Sequence, residues 1–263
     1  MLAALLACLA PLQTRDVVLD EGDRDVRVVV PRSWDGEDPL PVVFLLHGLG
    51  SHADQQDRYL RVSGRVDELE FILVAPDALP RDKDGQRAWN ATPACCKWEE
   101  EDDVAWLSGL MDELEPRARG FHFYGHSNGG FMSYRMACED DRVDGIASLA
   151  GSTFFEGEDC RLDRAVDVLQ VHGVEDETVP YAGKPGKYPS AVETAQRWAY
   201  RAACTDVGSE PARDLTLGGG DETRVDTWTC PEHRVALWSM DGVGHVPPAN
   251  RQFSRSVLGW LLE

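Results

Sequence analysis

The chain has 263 residues, 43% of them hydrophobic, and a formal net charge of -20. That suffices for one large α/β domain with its own core, and no Gly/Ser- or Pro-rich linker, low-complexity tract or repeat divides it. So acidic a surface repels phosphate backbones and anionic lipid, which argues against nucleic acid and membrane surfaces as partners.

Residues 1–13, MLAALLACLAPLQ, are apolar and end in small residues. They are too few to span a bilayer. They have the look of the h-region and cleavage zone of an export signal, truncated because no basic n-region precedes them. Cys8, in LLAC, offers a lipid-anchored alternative. The expected organisation is this leader followed by a single domain over residues 14–263.

Further along, VRVVV (26–30) reads as an early strand closed by Pro31. Residues 42–46 form a continuously apolar run, as expected of a strand buried on both faces of a parallel sheet. FILVAPD (71–77), FHFYGHS (121–127), VDVLQVHG (166–173) and VALWSM (235–240) continue the series. Helical patterns lie between and after them. Asp102 or Asp103 can cap a helix over 104–114, with Val104, Leu107, Leu110, Met111 and Leu114 on one stripe. Further helices are expected over 128–138, 190–203 and 253–262. Alternating strands and helices predict an α/β fold with a mostly parallel sheet and sites at the C-terminal ends of its strands.

GHSNGG (125–130) sits where a predicted strand meets a predicted helix. Gly125, Ser127 and Gly129 match Gly-x-Ser-x-Gly, the spacing of a nucleophile elbow. The plainer alternative is a serine that caps the helix. A serine nucleophile needs a neutral histidine as base and a carboxylate to orient it, in chain order Ser, acid, His. Three histidines follow Ser127. His172 ends a strand and runs straight into Gly173, and His233 lies in the polar CPEHR. His245, in DGVGHVPP between the strand over 235–240 and the last helix, is the expected base. Asp176 in VHGVEDETVP is the expected acid, with Glu175 as runner-up. The oxyanion donors should be the backbone N–H groups of Asn128, just after the nucleophile, and of Leu49 in LLHGLG. His47 is expected to brace that loop. Trp89, Trp98, Tyr181 and Tyr188 are candidates for an aromatic substrate wall, Trp89 and Tyr181 foremost. No metal or cofactor is called for.

With Cys8 set aside, Cys95, Cys96, Cys138, Cys160, Cys204 and Cys230 are an even set, suited to three disulfides in an oxidising compartment, and 15 pairings are open. No Cys-x-x-Cys occurs, which argues against zinc, and the adjacent pair is strained for a bond to itself.

Taken in order, LLHG, WN…CC…DDV, GHSNGG, YRMAC, HGVEDETVPY and GHVPP resemble the polyhydroxybutyrate depolymerase/feruloyl esterase family, LpqC-like and related to carbohydrate esterase family 1. The resemblance runs from about residue 40 to the C-terminus. It implies an α/β-hydrolase fold, a Ser127–His245–Asp176 triad, and a secreted esterase acting on feruloyl or acetyl polysaccharide esters or on hydroxybutyrate oligomers. It also implies a Cys204–Cys230 disulfide, with Cys95 and Cys96 bonded to Cys138 and Cys160 in some order. Two segments depart from the family pattern: Val246-Pro247 follow the histidine where relatives often carry Trp, and AGKPGKYPS carries two lysines. Two rivals are a secreted serine peptidase on the same fold, separable with amide substrates, and a non-catalytic binding module with a relic triad.

Overall fold

The computed structural model describes residues 16–20, 24–81, 85–96, 101–160 and 164–263. The leader expected over residues 1–13, Cys8 and Trp98 lie outside the described residues.

The strands are β1 (Asp16–Asp20), β2 (Asp25–Val29), β3 (Leu40–Leu46), β4 (Ile72–Pro76), β5 (Ala118–His126), β6 (Val143–Leu149), β7 (Asp167–Gly173), β8 (Asp206–Arg213), β9 (Thr223–Thr229) and β10 (Val235–Met240). They form one sheet in the order β1-β2-β4-β3-β5-β6-β7-β10-β9-β8. Its centre, from β4 to β10, is parallel. Antiparallel pairs finish both edges.

The apolar runs become central strands because helices cover both faces. In β3 every residue after Leu40 is buried. On one face lie α1 (Ala53–Leu60) and α5 (Phe253–Leu262), which bury Leu60, Phe253, Val257 and Leu258. On the other lie α2 (Asp103–Leu114), α3 (Asn128–Glu139) and α4 (Ala191–Arg201), which bury Leu107, Met111, Met132, Met136 and Trp198. The predicted cap forms at Asp102, which accepts from the Ala105 N–H, and Ser190 caps α4 by accepting from the Glu193 N–H, both at 3.0 Å.

The sequence expectations do not include β1, α1, β6, β8 or β9. The β6 stretch VDGIASL is broken by Asp144 and Gly145, yet it is central, and Asp144 accepts the Phe121 N–H at 3.1 Å. The β8–β9 hairpin forms an edge, and β8 is exposed along nearly its whole length and contains Pro211, so no buried alternation marks it.

The disulfides correct one expectation. Cys204 bonds Cys230, as the resemblance implied, but Cys138 bonds Cys160, leaving Cys95 and Cys96 as free thiols. Helix geometry explains this. Cys95 touches the Asn128 side chain at the start of α3, while Cys138 lies near its end, about 15 Å away along the axis. Disulfide partners need Cα atoms within about 7 Å. The two bridges close loops of 22 and 26 residues in sequence separation. Replacing both cysteines of either bridge with Ala should lower unfolding free energy by roughly 2–4 kcal/mol in denaturant titrations. An unchanged midpoint in non-reducing buffer would show that the bridge is absent.

Candidate active site

β5 ends at His126 and α3 begins at Asn128, so Ser127 alone makes the turn. Its φ is 54° and its ψ is -119°, a backbone conformation that L-residues with side chains rarely adopt. The flanking glycines follow from crowding. A Cβ at Gly125 would lie 2.1 Å from the Gly129 carbonyl oxygen, and one at Gly129 would lie 2.3 Å from that of Leu46. The Ser127 side chain makes no hydrogen bond that caps α3. Its Oγ instead lies 2.9 Å from His245 Nε2.

His245 Nδ1 is 2.7 Å from Asp176 Oδ2. The neutral ring can thus donate Nδ1–H to the carboxylate while Nε2 accepts the serine proton. Asp176 is buried, and its Oδ1 accepts the Thr178 and Val179 N–H groups, both at 2.8 Å. Burial by itself would raise this carboxyl. Hydrogen bonds from His172, His245 and the Val179 amide outweigh it and hold the group well below the usual carboxylate range. Glu175, the runner-up, is exposed, and its backbone N–H ties the turn to the Val243 carbonyl.

His245 is held from behind. His126 Nε2 lies 3.0 Å from the His245 carbonyl oxygen, so that nitrogen carries the proton and donates. The two rings stand 5.2 Å apart, and Tyr59 donates to the Pro247 carbonyl at 2.9 Å. Gly48, Leu49, Gln55, Tyr59, His126 and Val246 line a cavity of about 390 Å³ opening on Ser127 and His245.

Asn128 is the first residue of α3, where backbone N–H groups have no intrahelical acceptor. Its side chain clamps Trp89, accepting the Trp89 N–H at 2.7 Å and donating to the Trp89 carbonyl at 3.0 Å. Trp89 Nε1–H in turn donates to the His47 carbonyl at 3.0 Å. His47 itself accepts the Ala78 N–H on Nε2 at 3.0 Å and donates Nδ1–H to the Gly48 carbonyl at 2.8 Å. It braces the Leu49 loop without facing the cavity.

Trp89, expected as a substrate wall, is instead fully buried and serves as that strut. Tyr188 is buried edge-on against Phe131. Tyr181 stands edge-on to His172 at 5.7 Å, with its hydroxyl 2.7 Å from Ser239 Oγ. His233 lies at the opposite end of the sheet beside Asp167. Sequence reasoning missed the clamping side chain of Asn128, the His126 support and the contact of His172 with Asp176. Only the position of His126 next to Ser127 gave any signal.

Burial pushes His47 and His126 down to about 4. In the unfolded chain both take up a proton near pH 6.5. Between those limits the unfolded state binds more protons, so acid favours unfolding. Their contribution is complete above about pH 6.5 and is lost as pH falls toward 4, by roughly 1 kcal/mol per pH unit each. Asp176 adds nothing in this window, because its contribution is lost only below the unfolded carboxylate value, about 3.9. Thermal melts should show Tm falling steadily from pH 6.5 to 4.5, and a flat profile would refute the buried neutral histidines.

No family model matches the chain. It is 28% identical over 231 residues to a protein of Nocardia uniformis subsp. tsuyamanensis named esterase NocK, covering 79% of this chain and 65% of that protein. It is 25% identical over 232 residues to a protein of Aspergillus niger named feruloyl esterase C, covering 84% and 76%. Among solved structures, acetyl xylan esterase from Aspergillus awamori superimposes with a TM-score of 0.65 at 14% identity, over 94% of this chain and 100% of that one. The chain has the α/β-hydrolase fold. Another structure with this hydrolase fold is the S-formylglutathione hydrolase of Agrobacterium tumefaciens, at TM-score 0.57 and 16% identity over 94% and 95% of the two chains.

Proposed function

We propose that this protein is a secreted serine esterase that hydrolyses carboxylic esters through an acyl-enzyme on Ser127. The observation that carries the reading is the orientation of Ser127. Its hydroxyl leaves the helix start uncapped and lies within hydrogen-bonding reach of His245, itself bonded to a buried carboxylate. His245 takes the Ser127 proton as Oγ attacks the ester carbonyl. The Leu49 and Asn128 amides receive the oxyanion. His245 then hands its proton to the leaving alcohol, and water activated by the same ring releases the acid. Asp176 stabilises the imidazolium that forms in between.

The relative named feruloyl esterase C supports feruloyl esters as substrates, with acetyl polysaccharide esters and hydroxybutyrate oligomers as the other members of the proposed class. The two disulfides suit an oxidising compartment. Incubation with a fluorophosphonate, followed by peptide mass mapping, should place one adduct on Ser127. Short p-nitrophenyl esters, methyl ferulate and hydroxybutyrate oligomers should be cleaved in preference to matched amides. Absence of the adduct would favour the non-catalytic module, and faster cleavage of the amides would favour a peptidase.

A further inference from the structure

Asp176 touches a second histidine. His172, near the end of β7, is 1% exposed. Its Nε2 lies 2.8 Å from the Val179 carbonyl oxygen and 3.3 Å from Asp176 Oδ2, the same oxygen that meets His245. What His172 does there depends on which ring nitrogen carries the proton, and buried neighbours decide that. Gln170 precedes it by two residues, on the same face of the strand, and is fully buried. The Gln170 Nε2 is 2.9 Å from the Gly151 carbonyl oxygen. A carbonyl oxygen only accepts, so the amide NH₂ must face it. The other end, Oε1, then accepts the Tyr134 hydroxyl at 2.7 Å. Burial holds that phenol well above its usual range, so it keeps its proton.

With the amide so oriented, its second N–H points at His172 Nδ1, 3.0 Å away. That nitrogen must be bare, since an N–H there would face another N–H. The ring proton therefore sits on Nε2, and adding a second would break the bond from Gln170.

We infer that His172 is a positioning residue for this site: Tyr134 and Gln170 lock it in the neutral Nε2–H form, and that N–H, shared between the Val179 carbonyl and Asp176 Oδ2, fixes the carboxylate against His245. The inference rests on the esterase reading for its kinetic consequence. His172 gives Asp176 an N–H donor whose proton the Gln170 amide keeps on Nε2, so the proton that moves in each turnover stays with Ser127 and His245. Asp176, His245, His126, Tyr134 and Tyr181 are the titratable groups around it.

The test combines spectroscopy and kinetics. In ¹⁵N-labelled wild-type protein, His172 should show the Nε2–H tautomer. In Gln170→Leu the lock is gone, and the Nδ1–H tautomer should become populated. His172→Gln keeps an amide donor near the Nε2 position and should retain kcat and its pH profile. His172→Leu should lose roughly 10-fold or more in kcat, as outer partners of site residues do elsewhere. Its acid limb should move to higher pH, because Asp176, one donor poorer, binds the His245 proton more tightly. An Nδ1–H tautomer in the wild type overturns the proposal. So does a His172→Leu variant whose melting temperature falls while its kcat and pH profile stay fixed. If His172→Leu does not fold, the wild-type and Gln170→Leu spectra still decide. Those spectra need no substrate, so a wild type that resists fluorophosphonate refutes the esterase reading without touching the lock.

Discussion

Replacing Ser127 with Ala should lower turnover of p-nitrophenyl esters by about 10⁶-fold, and His245→Ala should do the same. The two losses should not add. Once the base is gone the hydroxyl is an ordinary alcohol, and once the hydroxyl is gone the base has nothing to activate. The double variant should therefore match either single one within a few-fold, the behaviour of groups that act as a unit. Removing the Ser127 hydroxyl leaves α3 intact, because that hydroxyl takes no part in capping it. Far-ultraviolet dichroism and Tm should thus stay close to wild type, although Ala inherits the positive φ. A serine that merely began a helix would show the reverse: stability lost, activity unmoved. Residual turnover above one hundredth of wild type in Ser127→Ala would remove this residue from the chemistry.

The elbow was legible in sequence because its glycines answer to hard contacts. A strand, one residue and a helix cannot be joined so tightly with side chains at 125 or 129. Much of the sheet was legible for a related reason: β3, β4, β7 and β10 are buried on both faces, and only continuous apolar runs tolerate that. β6 escaped because the backbone of its neighbour β5 satisfies Asp144, an interaction between segments that no local window contains. The free pair Cys95 and Cys96 escaped for the same kind of reason, since pairing depends on which end of α3 each cysteine meets. The sequence places Trp89 among candidates for a substrate wall, because nothing local to it shows that it is buried. Its partners, the backbone of His47 and the side chain of Asn128, lie 42 and 39 residues away along the chain.

Asp176→Asn should reduce kcat by about 10⁴-fold, the magnitude seen when the acid of another triad is made neutral. Here the local bonds say why the loss should be large without disturbing the backbone. The Asn Oδ1 would keep the Thr178 and Val179 amides, both now at 2.8 Å, so the turn should hold. That choice puts the Asn NH₂ where Oδ2 now lies, facing His245 Nδ1 and His172 Nε2. His172 cannot yield by changing tautomer, because the Gln170 amide already donates to its Nδ1. His245 can. It would accept the Asn N–H on Nδ1 and carry its proton on Nε2, the nitrogen 2.9 Å from Ser127 Oγ. A protonated Nε2 cannot take the serine proton, and no carboxylate remains to stabilise an imidazolium. Fluorophosphonate should still label Ser127 in this variant, only far more slowly, whereas Ser127→Ala should not be labelled at all. Glu175→Gln, one residue away and exposed, should stay within about 2-fold of wild type, as surface substitutions do. If Asp176→Asn kept more than a tenth of the activity while Glu175→Gln lost it, the acid would be Glu175 and the contact at 2.7 Å would be incidental.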